Sequence, residues 1–574
     1  MSNRRENRTS ATVWNSVDWR KAETEVRRLR QRIYRAEKSG NARLARSLQK
    51  LMLRSYSNRL ISVRRVTQHN RGKNTPGVDK LTVRTPRERG RLVDSLALDE
   101  PWKPAPVRRV HIPKANGKRR PLGIPVIRDR ALQAMVKNAL EPQWEARFEA
   151  CSYGFRPGRS THDAIKLISA RLARRAYKPW IIDADIRSAF DRISHDFLLE
   201  KIGDFPAREL IGKWLKAGVV EADGYLKPTD AGTPQGGVIS PLLANIALDG
   251  MEDVIPRGRL VRYADDLVVF CKTKSEAEEI KRLMSAWLLR RGLELSAEKT
   301  RIVYAEEGFD FLGFHVRILR TPSRKRKRAT LFDDVRDEYK VNIRPAKRNQ
   351  NEFRHRIREA VRGLRAAPQG ALLRKLAPIV RGWANYYRHC SATSTFAKLD
   401  HYTWWLLWRW AKRRHPRKGR RWLKRRYWGR FAPGHQDHWV FGEVSETGTY
   451  HLSKMAWTRI EKYHMVAGDA SPEDPDLVEY WDGRRRRRAG SLRAYFKTLY
   501  ILQKGLCPHC GGELFNGEEL HRHHVVPLSR GGKDHWRNMQ LVHLFCHQQV
   551  HAISRRELLE PYALKGARTV LRGG

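Results

Sequence analysis

The feature that most constrains how this chain can fold is its excess of positive charge. It holds 115 Lys and Arg against 61 Asp and Glu, which gives a formal net charge of +54 at neutral pH. A compact protein with this charge repels itself unless a polyanion offsets it. A merely soluble basic surface is the alternative, but the balance favours nucleic acid as the partner.

The length of the chain predicts several domains. At 574 residues it exceeds the size at which a single hydrophobic core stops growing, and its 40% hydrophobic content is enough for ordinary packed cores. Its apolar runs fall short of the roughly 18 residues that span a membrane, and no secretory signal follows the N-terminus. We therefore expect a cytoplasmic protein with no membrane partner.

The spacing of apolar residues divides the chain into segments. Helical spacing over residues 18–60, at Val26, Leu29, Ile33, Leu44, Leu48 and Leu51, predicts a basic helical N-terminal extension over residues 1–95. Short β-rich runs such as 180–185 and 267–270 then predict a mixed α+β core over residues 96–316. The helical period returns near residue 340, and a Cys/His-rich segment ends the chain.

Three acidic residues stand where strands are predicted to end. Asp265 and Asp266 are adjacent and precede an apolar run, and Asp185 ends the apolar run 180–185. An exposed turn is the plain alternative for the adjacent pair, but the third carboxylate favours a site for cations. Two Mg²⁺ ions about 4 Å apart would activate a hydroxyl and stabilise a leaving phosphate group. The sequence therefore predicts a magnesium site at these three residues.

Cysteines and histidines near the C-terminus have the spacing of metal ligands. Cys507 and Cys510 are three residues apart, as are His543 and Cys546, and two such pairs supply four ligands for tetrahedral zinc. A chance cluster of core cysteines is the alternative. We predict a structural Zn²⁺ site.

In their order along the chain, the acidic motifs resemble those of reverse transcriptases encoded by group II introns. The resemblance implies fingers and palm of a right-hand-like fold, an α-helical thumb or maturase domain over residues 317–415, and a basic DNA-binding segment over residues 416–495. Beside the carboxylates, the motifs that carry it are residues 112–125, 152–160, 232–241, 293–300, 311–314 and 378–387.

The resemblance also implies residues that handle the incoming nucleotide. Lys114 and Arg120 would contact its triphosphate, Gln235 would lie beside the nascent base pair, and Phe190 would exclude a ribose 2′-hydroxyl. A solvated basic loop is the alternative for the two cations. Core packing is the alternative for Phe190.

Aromatic and basic residues alternate after the palm motifs. Trp383 and Tyr387 have the spacing of a helix core, which favours packing for both rings. Between Trp404 and Trp428, cations interleave with tryptophans, most of which we expect to be buried, and this pattern is typical of a surface that binds nucleic acid. The five arginines 484–488 are predicted to form a solvated linker.

The C-terminal histidines resemble the HNH nuclease motif, in which a β-hairpin and a helix surround one divalent cation. By this resemblance His523 and His547 would bind the cation, with His551 as a further ligand. His524 would be the general base, and Asn538 would clamp the hairpin loop. Surface histidines without a metal are the alternative for each residue taken alone.

Taken together, the resemblance implies an RNA-directed DNA polymerase that helps its intron RNA splice and nicks one strand of target DNA through a small ββα-metal domain over residues 496–574. The implied partners are the intron RNA, the target DNA and deoxynucleoside triphosphates. The implied location is the cytoplasm of a bacterium or organelle, with the nucleoid when DNA is bound. A maturase with a decayed polymerase site is opposed by the three carboxylates. A retron enzyme is opposed by the thumb and HNH motifs.

Overall fold

The structure is a computed structural model with a multidomain α+β architecture. It describes residues 12–97, 102–113, 119–173, 178–320, 339–445, 448–488, 494–516 and 518–557. Among these residues, every helix is too short or too polar to cross a membrane.

The N-terminal region is helical, as its apolar spacing predicts. Val26, Ile33 and Leu48 are buried, whereas Leu44 and Leu51 face solvent, so the helices were predicted correctly but part of the buried face was not. The helices are α1 (Trp19–Lys38), α2 (Ala42–Arg54), α3 (Tyr56–Arg64) and α4 (Pro86–Asp94).

The central region combines sheets and helices, and its long helix α5 is buried on nearly every face because α1, α2 and α3 pack against it. Its elements are β1 (Val107–Pro113), β2 (Arg119–Ile124), α5 (Ile127–Glu145), α6 (Thr161–Leu172), β3 (Trp180–Asp185), α7 (Ala189–Arg192), α8 (His195–Ile202), α9 (Arg208–Leu215), β4 (Val219–Val220), β5 (Leu226–Lys227), α10 (Ser240–Ala247), β6 (Leu260–Tyr263), β7 (Asp266–Cys271), α11 (Lys274–Leu289), β8 (Arg301–Tyr304), β9 (Phe309–Phe311) and β10 (Phe314–Arg320).

The second half of the chain is mainly helical and ends in a small α+β module. Its elements are β11 (Tyr339–Pro345), α12 (Lys347–Gly363), α13 (Gln369–Tyr387), α14 (Thr393–Arg414), α15 (Arg420–Tyr427), β12 (Trp428–Gly429), β13 (Val440–Ser445), β14 (Gly448–His451), α16 (Val478–Arg488), α17 (Ala494–Leu502), β15 (Leu520–His524), β16 (Met539–His543) and α18 (Leu544–Glu557).

Two sheets of the central region lie close to the predicted carboxylate site. An antiparallel sheet has the strand order β6-β7-β3-β8, and a second sheet has the order β2-β1-β4-β5. Strands β9 and β11 flank β10 in a third sheet, from which the chain enters the helices α12 to α14. The runs 180–185 and 267–270 are strands, as predicted.

The segment around residue 473 packs against the N-terminal helices. Arg30 of α1 donates hydrogen bonds to Glu473 at 2.5 Å and to Glu141 of α5 at 2.8 Å, and these three side chains are nearly buried. The carboxylates keep the pKa of Arg30 above its usual value against the opposing effect of burial. Residue 473 therefore belongs to the same packed unit as α1 and α5.

Candidate active sites

The strands β3, β6 and β7 bring the three predicted carboxylates together. Asp185 at the end of β3 stands opposite Asp266 at the start of β7, and Asp265 lies in the two-residue turn between β6 and β7. Ala264 adopts a positive φ of 57° in that turn. A strand end and a tight hairpin thus place three acidic side chains at one edge of the sheet.

Burial and mutual repulsion raise the pKa of two carboxyl groups at this edge. Burial, together with the neighbouring Asp265 and Asp185, raises the pKa of Asp266 to about 7. Burial likewise raises the pKa of Asp265. Lys299 offsets part of the charge, because its Nζ donates to both carboxylate oxygens of Asp185 at 2.8 Å.

These residues fit a magnesium site by the chemistry of their donors. Mg²⁺ prefers carboxylate oxygen, and Asp265 and Asp185 raise the pKa of Asp266 beyond the effect of burial, so a bound cation would relieve their repulsion. Lys299 belongs to a motif that the sequence analysis singled out, but its partner lies 114 residues away, and nothing in the sequence joins the two.

Two of the predicted nucleotide-handling residues, Arg120 and Gln235, are in direct contact. Arg120 donates from Nε to Gln235 Oε1 at 2.8 Å, and the Gln235 carbonyl accepts from the Gly123 backbone N–H. Phe190 is 8% exposed and meets Phe155 edge-on with ring centroids 6.1 Å apart. Packing therefore accounts for most of the Phe190 surface. Lys114 lies outside the described residues.

The C-terminal module gathers the predicted histidine ligands between a hairpin and a helix. His523 on β15, with His547 and His551 on α18, has ligand atoms that all lie within 4.8 Å of one another. Burial and then the neighbouring imidazoles lower the pKa of His547 to about 4. The neutral form binds metal, so this donor set fits a divalent cation.

His524 and Asn538 lie next to His523, where the strands of the same hairpin enter its loop. His524 Nε2 lies 3.1 Å from Asp534 Oδ1. Asn538 accepts a hydrogen bond from the Val526 backbone N–H and donates to the carbonyls of Val526 and Lys533, so it ties the two sides of the loop together. The contact with Asp534 was not predicted, because nothing in the sequence distinguishes one acidic residue in a polar loop from other surface carboxylates.

The predicted zinc ligands form a buried group of their own. Cys507, Cys510, His543 and Cys546 have ligand atoms within 4.8 Å of one another, and all four residues are buried. His543 Nδ1 lies 3.5 Å from Cys510 Sγ and 3.8 Å from Cys546 Sγ, near the roughly 3.6 Å that tetrahedral zinc imposes between sulfur and nitrogen ligands. His543 Nε2 lies 2.9 Å from the Glu513 carbonyl oxygen, which accepts a hydrogen bond from the Nε2–H tautomer and so leaves Nδ1 available to the metal.

The aromatic residues divide between core and surface. Trp383 and Tyr387 have ring centroids 4.3 Å apart, and Tyr387 donates to the Gly313 carbonyl, so both rings pack as predicted. In the tract from Trp404 to Trp428, Trp405 is 42% exposed and carries Arg409 over its ring. Of the six tryptophans, two are buried, two are half-buried and two are exposed, so the expectation that most are buried was wrong.

The prediction of a linker at residues 484–488 was also wrong, although Arg486 and Arg487 are exposed as predicted. These residues end the helix α16, and Arg484 donates to the His464 carbonyl while lying 3.7 Å from Asp163. The helix forms because Trp481 is buried and donates from Nε1 to the Ser471 carbonyl.

Comparison with known families assigns a domain to each of these sites. Residues 14–96 match the N-terminal domain of reverse transcriptase, and residues 112–316 match the reverse transcriptase, or RNA-dependent DNA polymerase. Residues 350–428 match the group II intron maturase-specific domain, and residues 507–552 match the HNH endonuclease.

Two bacterial relatives each match over 46% of the chain. Protein YkfC of Escherichia coli is 37% identical, and the match covers 81% of it. The group II intron-encoded protein LtrA of Lactococcus lactis is 32% identical, and the chain spans 57% of its length.

Among solved structures, apo telomerase from Candida tropicalis is 17% identical with a TM-score of 0.29, covering 38% of this chain and 54% of that one, a likeness that carries no argument. The domain matches and the bacterial relatives together show that the chain belongs to the group II intron-encoded proteins, which join a reverse transcriptase, a maturase domain and an HNH endonuclease.

Proposed function

We propose that the chain is the protein of a mobile group II intron: it copies RNA into DNA, assists splicing of the intron RNA and nicks one strand of the target DNA. The observation that carries this proposal is the buried carboxylate edge, where Asp185 faces Asp266 across two strands and Asp265 occupies the adjoining turn. An RNA-binding maturase without polymerase activity has no use for so costly a cluster. Its place of action is the cytoplasm of a bacterium or organelle, with the nucleoid while target DNA is bound.

In this proposal residues 96–316 are the fingers and palm, and the three carboxylates hold magnesium. The bound ions would lower the charge cost of attack by a primer hydroxyl on a deoxynucleoside triphosphate. Lys299 holds the Asp185 carboxylate in place through two hydrogen bonds, so the side chain is oriented before substrate arrives.

The nucleotide itself meets Arg120 of β2 and the side chains that the motifs place with it. Arg120, held by Gln235, and Lys114 contact the triphosphate, while Gln235 stands beside the nascent base pair. Phe190 is packed against Phe155, and a side chain fixed in this way can exclude a 2′-hydroxyl because it cannot swing aside. Core packing and sugar selection are therefore compatible roles for Phe190.

The first test is Asp265→Ala in a primer-extension assay on an RNA template. We expect loss of at least about 100-fold in the extension rate, because one metal ligand is removed, with splicing of the intron RNA retained. Glu279→Ala is the matched control, since Glu279 is an exposed carboxylate of α11 that pairs with Arg282. Normal extension by Asp265→Ala would remove Asp265 from the active site.

Residues 317–415 are proposed as the thumb or maturase domain and residues 416–495 as the DNA-binding segment. Support comes from aromatic rings that carry cations. The exposed Trp405 lies under Arg409 at 4.6 Å from ring centroid to guanidinium, and the half-buried Tyr402 lies under Arg354 at 5.8 Å. A cation and a ring side by side can bind a phosphate and stack on a base at once.

Residues 496–574 are proposed as the nuclease, in which His523, His547 and His551 hold one divalent cation. The cation would stabilise the leaving oxygen of the DNA strand. His524 takes a proton from water, and Asp534, 3.1 Å from its Nε2, orients the ring. Zinc at the group of three cysteines and His543 is structural, since four protein ligands leave no open position.

The second test is His524→Ala in a strand-specific cleavage assay on end-labelled target DNA with the ribonucleoprotein. Loss of the base is expected to slow cleavage of one strand by about 100-fold or more, while extension of a supplied primer stays normal. His535→Ala is the control, because His535 is an exposed histidine of the same hairpin loop. Cleavage at the normal rate by His524→Ala would contradict the assignment of the base.

A further inference from the structure

A residue from the opposite end of the chain contacts the buried group of three cysteines and His543. Arg64, the last residue of α3, is 1% exposed, and its Nη2 donates to Cys546 Sγ at 2.9 Å. The two residues are 482 positions apart in the sequence. The N-terminal helices therefore contact the proposed zinc ligands directly.

Nothing else in the described residues binds Arg64 as closely. Its guanidinium lies over the Trp19 ring at 4.4 Å, and its Nε and Nη1 atoms are buried without a hydrogen-bond partner. A buried guanidinium is costly unless a negative charge faces it. Two groups next to Arg64 can supply negative charge: Glu23 of α1, whose pKa burial raises and Arg64 partly lowers, and Cys546 Sγ, which accepts its hydrogen bond.

A zinc centre with these ligands is such an anion. Three thiolates and a neutral imidazole around Zn²⁺ carry a net charge of about −1 in a fully buried position. The carboxylate of Glu518, also nearly buried, adds negative charge 3.8 Å from His543 Nδ1, and it lies 3.0 Å from His69 Nε2. The buried guanidinium of Arg64, from the N-terminal region, faces this charge.

Further contacts join the same two parts of the chain. Gln549 of α18 donates to the carbonyls of Asn15 at 3.2 Å and Val17 at 2.8 Å. Phe545, next to Cys546, stacks on His69 and receives Lys73 over its ring at 4.7 Å. Arg64 therefore sits in a continuous interface, and α18 supplies both a metal ligand and the residues that dock.

We propose that Arg64 is a positioning residue for the zinc centre, and that metal occupancy and docking of the N-terminal helices on the nuclease module stabilise each other. The inference rests on the proposed zinc site. Through its hydrogen bond to Sγ, Arg64 holds the Cys546 side chain among the other ligands, and its charge offsets the net negative charge of the occupied centre. By linkage, bound metal favours the docked interface, because it supplies the charge that a buried guanidinium needs.

The first experiment compares zinc release from the full chain and three variants by transfer to a chromogenic chelator. Arg64→Met keeps the approximate volume but removes the charge, and we expect release at least about 10-fold faster than from the native chain. Arg64→Lys keeps the charge and should restore most of the retention. Arg65→Met is the matched control, because Arg65 is adjacent, exposed and carries the same charge.

The outcomes separate the inference from the zinc site itself. If Arg64→Met holds zinc as tightly as Arg64→Lys, Arg64 acts by packing alone and the inference is overturned while the zinc site stands. If the native chain, purified in the presence of zinc, carries no zinc, the proposed zinc site falls and this inference falls with it.

A second experiment needs no variant and so does not depend on how Arg64→Met folds. Hydrogen exchange of the native chain is measured before and after zinc is removed by a chelator. We expect faster exchange in α3 and around residues 15–17, as well as in the module that binds the metal. Faster exchange confined to residues 507–551 would overturn the coupling.

Discussion

Burial beside two other carboxylates makes the ionised form of Asp266 lower the free energy of unfolding. Its pKa rises from 3.8 to about 7 because of burial first and then of Asp265 and Asp185. In the unfolded chain the carboxyl loses its proton near 3.8, whereas the folded chain keeps it until about 7. Stability of the metal-free protein is therefore lost as the pH rises between these values and stays low above them.

Asp266→Asn should consequently stabilise the metal-free protein at high pH. The gain is on the order of 4 kcal/mol at most, since part of the side chain is still in contact with solvent, and it should vanish near pH 4. Thermal unfolding in a metal chelator at pH 8 and at pH 4 measures it, and added Mg²⁺ should shrink the difference at pH 8. A variant no more stable than the native chain at pH 8 would contradict the charge argument.

For single residues, the sequence predicts candidate catalytic and metal-binding side chains better than it predicts the side chains that contact them. Asp185, Asp265, Asp266 and the four proposed zinc ligands could be predicted because their residue types and spacing are unusual. The contacts of Lys299 with Asp185 and of Arg64 with Cys546 could not. In a chain this rich in Lys and Arg, a single cation carries no signal until the fold brings its partner to it.

At the level of elements, the hairpin of β6 and β7 depends on a glycine in another segment. A Cβ at Gly154 would lie 2.3 Å from the Ala264 backbone nitrogen and 2.9 Å from the Tyr263 carbonyl carbon. Residues 151–153 also exchange backbone hydrogen bonds with Arg262 of β6. The motif at residues 152–160 therefore packs against the backbone of the turn that holds Asp265 and fixes its position.

Gly154→Ala should displace that turn. We expect a loss of about 1 to 3 kcal/mol of stability from overpacking and a larger loss of primer extension than of RNA binding, because the displaced atoms adjoin Asp265. Gly212→Ala is the control, since a Cβ there meets only Leu199 at an ordinary 3.5 Å. Full extension activity in Gly154→Ala would show that the turn tolerates the shift.

Elements were predictable where their apolar pattern is periodic and not where tertiary contacts decide. The strand 180–185 and the N-terminal helices follow from local spacing. Helix α16 does not, because its run of arginines places polar side chains on every face of the helix. The burial of Trp481 against a distant segment holds the helix in place. The side of α2 that faces solvent could not be predicted either, since two of its leucines are left exposed.

For the whole molecule, the net charge of +54 dominates association with nucleic acid. Each phosphate neutralised by Lys or Arg releases condensed counterions, so affinity for RNA should fall by about 1000-fold or more between roughly 50 and 200 mM salt if six or more phosphates are bound. Binding titrations over that range measure the slope, with thermal unfolding at each salt concentration as the control for folding. A flat response would contradict binding through phosphate contacts.

The bonds between Arg30, Glu141 and Glu473 set a condition on synthesis of the protein. Ribosomes add about 5 to 20 residues each second, so Glu473, which follows Arg30 by 443 residues, emerges roughly 20 to 90 s later. Until then the helices that begin the chain lack one of the two carboxylates that neutralise a buried guanidinium. A nascent chain therefore cannot complete its first domain before most of its polymerase and maturase domains have left the ribosome, and translation that stops early leaves a protein unfinished at both ends.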